Sequence, residues 1–381
     1  MAKTRSKTSA KPDPRLTDRE RKLLLELTAL PTASGRESSV MACVKQWVDR
    51  RRGLKLERDK AGNLAVSRSD VKASPHPVVF VAHMDHPAFV VRRVIDEATA
   101  TVEAEFRGGV SECYFKDARV RLWKAGKPRV AGTVTETRFD TDNRYDKRAT
   151  IRLDEAVDVE PGQIATWELP GPTIEDGRLA SPVCDNLVGV AAAMAALDRA
   201  RQRERIDVRL LLTRAEECGF VGAVAACKHR TLPKHSRIVV LENSKAFDDS
   251  PSGGGTIVRV GDRTSTFDAD LTRRLALAAG RLEDADPPLK WMRRLMPGGT
   301  CEATAFVAFG YRAACVCLPL IHYHNMNEAA GRIDREVIAL DDFEATVRLL
   351  AEAVGELGGG SSPIIRKQLT RLYRDQKHLV G

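Results

Sequence analysis

Four short apolar runs in this 381-residue sequence each lead into residues that can bind a metal or move a proton. PVVFVA (77–82) is followed by His83-Met84-Asp85, VRLLLT (208–213) by Arg214-Ala215-Glu216-Glu217, RIVVL (237–241) by Glu242-Asn243, and AACVCLPL (313–320) by a loop holding His322 and His324. A further carboxylate, Asp185 in SPVCDNLVG, stands just before an Ala-rich stretch. Taken singly these groups say little, because a lone histidine at a strand end is more often structural than a ligand and paired glutamates usually face solvent. Together, two imidazoles and several carboxylates meeting at one place would be untenable unless they held cations. Mixed nitrogen and oxygen donors of this kind suit zinc, cobalt or manganese, and the carboxylates are numerous enough for two metals sharing one bridge.

The surrounding elements predict that these groups do meet. The four runs are rich in Val, Ile and Leu without polar alternation, as expected of strands buried on both faces of a mainly parallel sheet. Helical patterns separate them, notably GVAAAMAALDRARQR (189–203) and DDFEATVRLLAEAVGEL (341–357). That alternation predicts an α/β fold, in which the carboxyl ends of the strands form the ligand crevice. Two more helices are expected near the N-terminus. LTDRERKLLLELTAL would be capped by Thr17 or Asp18 and ended by Pro31, and SGRESSVMACVKQWVDRR would be capped by Ser34 or Ser38.

Between about residues 91 and 176 the texture changes. TATVEAEF, ARVRLW, PRVAGTVTE, ATIRL and IATWEL alternate in period 2, broken by turn signals such as KAGKP and EPGQ. This predicts a small β-barrel or β-sandwich inserted into the α/β domain, the alternative being that these strands extend the main sheet. The expected organisation is a basic tail (1–15), a discontinuous α/β catalytic domain (16–90 plus 177–360), the inserted all-β domain (91–176) and a second basic tail (361–381). SGGG (252–255) and GGGSSP (358–363) read as loops or linkers.

Composition narrows the function classes. Hydrophobic residues make up 43% and charged residues 30%, which excludes a chain disordered throughout. No apolar run approaches the ~20 residues of a membrane span, and the N-terminus lacks the apolar centre of a secretory signal. The expectation is a soluble, cytoplasmic protein. Eight scattered cysteines without a C-x-x-C pair fit reduced thiols rather than a disulfide frame. The formal net charge of +9 invites a nucleic-acid reading, but the excess sits in the tails. Residues 1–15 hold five basic residues against Asp13, and residues 361–381 hold Arg366, Lys367, Arg371, Arg374 and Lys377 against Asp375. A body so close to neutral lacks the basic stripe that a nucleic-acid binder presents.

With these residues in view, the chain resembles the M42 family of dinuclear metallo-aminopeptidases, within the clan of co-catalytic zinc peptidases. The likeness runs from SGRE through D-K-A-G-N-L (59–64), V-A-H-M-D (81–85), C-D-N-L-V-G (184–189), A-E-E-C-G-F-V-G-A (215–223), G-G-T-C-E-A (298–303) and H-N-M-N-E (324–328). Its place in the clan rests on the β module between His83 and Asp185. M20-type relatives carry their extra domain after the glutamate pair, and M28 types lack an insertion of this size.

The resemblance implies that His83, Asp185 and Glu242 hold one metal and Asp185, Glu217 and His324 the other, two divalent ions per subunit, zinc first and cobalt or manganese next. It implies a supporting role for Asp85, fixing the His83 tautomer, and a general-base role for Glu216, which would deprotonate the attacking water and pass the proton to the leaving amine. It further implies short peptide substrates and a homo-oligomer, with neither nucleic acid nor membrane as partner. Three positions depart from the family pattern: Glu242 replaces an aspartate, Asn186-Leu187 an Asp-Arg pair, and Cys301-Glu302 an aspartate after Gly-Gly-Thr. His86 and His322 are left without a part in this scheme, as supports behind the metal ligands or pocket wall on one reading and substrate contacts on another. The rival readings are an M20-like amidohydrolase or carboxypeptidase using the same metals, and a silent scaffold of the same fold, although no ligand or base is missing.

Overall fold

The computed structural model describes residues 15–140, 142–143, 145–359 and 364–380. The four buried runs form neighbouring strands of an eight-stranded sheet. Its order is Leu54–Arg58, Leu64–Arg68, Val208–Thr213, Val78–His83, Arg237–Lys245, Arg312–Leu320, Thr256–Gly261 and Trp291–Leu295. The four central strands are mutually parallel, with Leu210 opposite Phe80, Val239 opposite Phe80 and Glu242 opposite Cys317. Strands Leu64–Arg68 and Thr256–Gly261 flank them antiparallel. Both faces are covered, which is why the central strands could afford no polar alternation. Helices Leu187–Arg203, Ala269–Glu283 and Leu340–Gly358 share one core with one face, and Val221–His229 and Glu302–Ala308 pack on the other.

Asp18–Thr28 starts at Thr17, whose side chain accepts from the Glu20 N–H while Glu20 answers with a bond to the Thr17 N–H, a reciprocal cap typically worth about 1 kcal/mol. The second helix differs from expectation. It begins at Ser38 with Glu37 at the cap position and no side-chain cap bond, and Ser34 donates its hydroxyl to Asp85 instead of capping.

The period-2 segments close on themselves rather than joining the main sheet. The barrel order is Ala88–Asp96, Thr101–Arg107, Lys147–Leu153, Lys127–Phe139, Arg119–Lys124 and Ile164–Trp167. Val102, Ala104 and Phe106 point inward from one strand and Ala149, Ile151 and Leu153 from its neighbour, as alternation requires. Strand Ala88–Asp96 escapes sequence reading because its first four residues are buried and the rest exposed, so it neither alternates nor runs apolar.

Of the N-terminal tail only Arg15 lies within the described residues. In the C-terminal one, residues 361–363 and 381 lie outside them, and Ile364–Gln376 is a helix with Leu369, Leu372 and Tyr373 exposed. Among the described residues no helix is long and apolar enough to cross a membrane.

Candidate metal centre

Each of the seven sequence-nominated residues lies at the carboxyl end of the central strands. His83 ends its strand, Glu216 and Glu217 follow the strand ending at Thr213, Glu242 sits inside Arg237–Lys245, and His324 lies in the short turn after Leu320. Asp185 comes from the loop that enters helix Leu187–Arg203. His83 Nε2 stands 3.4 Å from Asp185 Oδ1 and 3.6 Å from Glu242 Oε2. His324 Nε2 stands 3.6 Å from Asp185 Oδ2 and 3.1 Å from Glu217 Oε1. Two donor triplets result, His83/Asp185/Glu242 and Asp185/Glu217/His324, each with its ligand atoms within 4.8 Å of one another. They share Asp185, one carboxylate oxygen toward each imidazole. Glu216 lies 3.9 Å from His83 and makes a third such group with His83 and Glu217.

The donor set fits divalent cations on the state of its own atoms. Asp185 Oδ1, Glu242 Oε1 and His324 Nε2 are buried without a hydrogen-bond partner, and the 3.1 Å approach of His324 to Glu217 does not make one. Buried polar atoms are rarely left in that state. A metal ion satisfies all three, with the nitrogen and oxygen ligands that zinc, cobalt or manganese accept.

The electrostatics of the cluster point the same way. Burial alone would lower the basicity of His83, but Glu216, Asp185, Asp85 and Glu242 hold it well above the usual imidazole range. His324 is raised likewise, burial opposing and Glu217 and Asp185 prevailing. The surrounding carboxylates thus favour positive charge at both imidazoles. Burial pushes the Glu216 carboxyl well up, opposed by His83 and reinforced by Glu242, Glu217 and Glu302.

Hydrogen bonds that no sequence pattern announces hold this geometry. The Asp85 carboxylate accepts from the Glu216 N–H at 3.0 Å, the Glu217 N–H at 3.1 Å and the Ser34 hydroxyl at 2.5 Å, so it fixes the loop carrying the glutamate pair. For His83 Nδ1 the nearer acceptor is the Asp85 carbonyl at 3.2 Å, the carboxylate lying at 3.6 Å. Glu336, fully buried, accepts from the Cys184 and Asp185 N–H groups with one oxygen and from the His324 N–H with the other. His86 bridges the Asp185 carbonyl at 2.5 Å and Asn325 Oδ1 at 2.9 Å, whereas His322 turns away to the Arg335 carbonyl. His324 Nδ1 meets the Gly109 carbonyl, a barrel residue, at 2.7 Å, which directs Nε2 at the carboxylates. Tight packing behind the glutamate loop also explains Gly222: a Cβ there would lie 2.4 Å from the Arg214 carbonyl oxygen. Cys301, in contrast, faces Arg259 and Cys315 and belongs to neither triplet.

The structure is an α/β fold with a candidate metal centre at the carboxyl edge of a mainly parallel sheet. The sequence model of the M42 glutamyl aminopeptidase family matches residues 62–349, most of the chain, which therefore belongs to that family and is a hydrolase of peptide bonds. Solved structures of similar fold include the TET aminopeptidase of a marine sediment Thaumarchaeota archaeon (20% identity, 89% of this chain and all of that one, TM-score 0.73). An aminopeptidase of the archaeon Desulfurococcus kamchatkensis is similar at 20% identity, over 90% of this chain and 98% of its own (TM-score 0.72). The Pyrococcus horikoshii TET1 peptidase, described as assembling into a tetrahedron or a large octahedral shell, is 18% identical over 88% of this chain and 99% of its own (TM-score 0.72). No curated protein matches the sequence.

Proposed function

We propose that the chain is a metal-dependent aminopeptidase that removes N-terminal residues from short peptides, using two divalent cations per subunit, zinc first among them. His83, Asp185 and Glu242 would hold one and Asp185, Glu217 and His324 the other. The observation that carries this reading is the pair of donor triplets sharing Asp185, with orphaned ligand atoms in both. When bound, such cations acidify a water and polarise the scissile carbonyl. Glu216, 3.9 Å from His83 and outside both triplets, is kept free as the base that takes a proton from water and returns it to the leaving amine. Asp85 and Ser34 hold the Glu216 backbone in place for that exchange, and Glu336 and His86 hold Asp185 and His324.

The domain boundaries expected from the sequence are proposed, with 91–176 as the inserted unit, most of which is made up by the barrel strands that run from Ala88 to Trp167. Large homo-oligomeric shells among its structural neighbours support a homo-oligomer here, which would restrict entry to short or unfolded chains. Eight free cysteines support a reducing, cytoplasmic setting.

The test is chelation followed by add-back. Chelation should abolish turnover of aminoacyl anilides, and zinc, cobalt or manganese should restore it. Full turnover in a sample shown to be metal-free by elemental analysis would overturn the metal assignment. Equal cleavage of N-acetylated peptides would favour an amidohydrolase instead.

A further inference from the structure

No described side chain of helix Ile364–Gln376 enters a hydrophobic core of the protein. The helix lies beyond residue 349, where the family match ends, and follows GGGSSP (358–363), whose composition is that of a flexible linker. Every residue from Arg366 to Val380 is exposed. Leu369, Leu372 and Tyr373 stand three and four residues apart and so share one face, yet each leaves 59 to 64% of its surface bare. Leu379 and Val380, just past the helix, are exposed as well. In the preceding helix, Leu340–Gly358, the stripe formed by Phe343, Val347, Leu350 and Val354 is buried. The last helix has the same kind of stripe and nothing on it.

Charge narrows what can cover it. The helix and the turn after it carry Arg366, Lys367, Arg371, Arg374 and Lys377 against Asp375 alone. Asp375 is already shared, by Arg371 at 3.6 Å and Arg374 at 3.4 Å, and Arg366, Lys367 and Lys377 meet no carboxylate among the described residues. The same helix of a second copy would bring the same excess of positive charge, and residues 1–15, with five basic residues against Asp13, would repel it too. A nucleic acid would meet the cations and leave the leucines and the tyrosine in water. At about 100° per residue, Arg366 and Lys377 flank the apolar stripe while Lys367, Arg371 and Arg374 lie across from it, a spread wider than one rim of a protein groove can pair. A layer of anionic headgroups above an acyl boundary answers both faces at once.

We propose that Ile364–Gln376 is an interfacial helix that docks the protein on an anionic lipid surface, with Leu369, Leu372 and Tyr373 at the acyl boundary and the cations among the headgroups. It lies on the surface and does not span it, in keeping with the lack of a helix long and apolar enough to cross a membrane among the described residues. The expectation of no membrane partner came with the family resemblance, which does not extend to this helix. The proposal is independent of the aminopeptidase reading.

The experiment is flotation of the full chain with vesicles of phosphatidylcholine alone and of equimolar phosphatidylcholine and phosphatidylserine. The wild type should bind the mixed vesicles at least about tenfold more tightly than the neutral ones, and added salt should release it. Leu369→Glu/Leu372→Glu should weaken binding to the mixed vesicles at least about tenfold, because it removes the apolar stripe and reverses charge there. Arg366→Gln/Lys367→Gln should weaken it about tenfold through charge alone. All four positions are exposed, so urea unfolding should be unchanged in both variants. A wild type that does not float with the mixed vesicles, or floats equally with both kinds, overturns the proposal. Binding that survives in both variants overturns it too, by assigning the attraction to another part of the chain. A native mass by light scattering that falls in Leu369→Glu/Leu372→Glu would show that a second copy covers the stripe, and tight binding of polyglutamate without flotation would assign it to an acidic protein; either result sinks the lipid assignment.

Discussion

The barrel interior and the crevice at the sheet edge are both buried, and they are built on opposite rules. Inside the barrel Phe89, Phe106, Phe115 and Trp167 pack with ring centroids 4.7 to 5.7 Å apart, mostly edge to face, and the Trp167 indole nitrogen beside these rings has no hydrogen-bond partner. In the crevice Asp185, Asn186, Glu242, Asn243, Glu302 and His324 all carry buried atoms without partners. The first region is held mainly by apolar contacts and contributes stability. The second gathers polar and ionisable groups whose unmet atoms fit the proposed metal ligands. Among the bonds that join the two is that from His324 to the Gly109 carbonyl, so the barrel also aims a side chain of the crevice.

This contrast can be broken most forcefully at Glu216. Glu216→Gln should leave both metals bound and the fold intact while activity drops by about 10² to 10⁴, since the amide has nearly the same shape but cannot take the proton. Glu217→Gln should instead reduce metal content measured by elemental analysis. If Glu216→Gln loses metal and Glu217→Gln keeps it, the roles of the pair are exchanged. The counterpart in the barrel is Ile151→Ala. Ile151 is fully buried, and its truncation should cost about 2–5 kcal/mol in urea unfolding while metal content stays unchanged. Metal loss in that variant would show that the barrel does not merely lean on the crevice but holds it together.

The sequence exposed whatever physics repeats locally. Strands buried on both faces cannot hide, so PVVFVA, VRLLLT, RIVVL and AACVCLPL were legible, and with them the residues at their exits. The barrel strands were legible by alternation. What stayed hidden depends on contacts between distant parts of the chain. Glu336 reaches 151 residues back to the Asp185 N–H, and nothing in DREVIAL announces a buried clamp. Ser34 reads as a helix cap, and only the fold shows that Asp85, 51 residues on, takes its hydroxyl. The Gly109 carbonyl that orients His324 is a backbone atom without any sequence signature. Strand Trp291–Leu295 was missed because this edge strand carries charged residues such as Arg293 and Arg294, and its inner neighbour Thr256–Gly261 because Arg259 interrupts its apolar run.

The smallest expected effect sharpens the contrast by turning the cost of the crevice into a slope. Glu302 is fully buried, one oxygen accepting from the Thr213 hydroxyl at 2.8 Å and the other unmet. Burial, opposed by His83 and reinforced by Glu242, pushes its carboxyl up to about 8. In the unfolded chain a glutamate titrates near ~4.3. Below that pH both states hold the proton and nothing is lost. Between ~4.3 and 8 the unfolded chain releases the proton while the native state keeps it, so stability must fall as pH rises, by at most about 1.4 kcal/mol per pH unit, and level off above. Glu302→Gln removes this titration. Urea unfolding of chelated protein from pH 5 to 8 should therefore show a shallower decline in Glu302→Gln than in the parent. Ile151→Ala should lower the whole curve without changing its slope, because an apolar cavity has no proton to exchange. Parallel curves for Glu302→Gln and the parent would mean that Glu302 titrates normally, and the crevice would then differ from the barrel in its ligands but not in what its buried charge costs the fold.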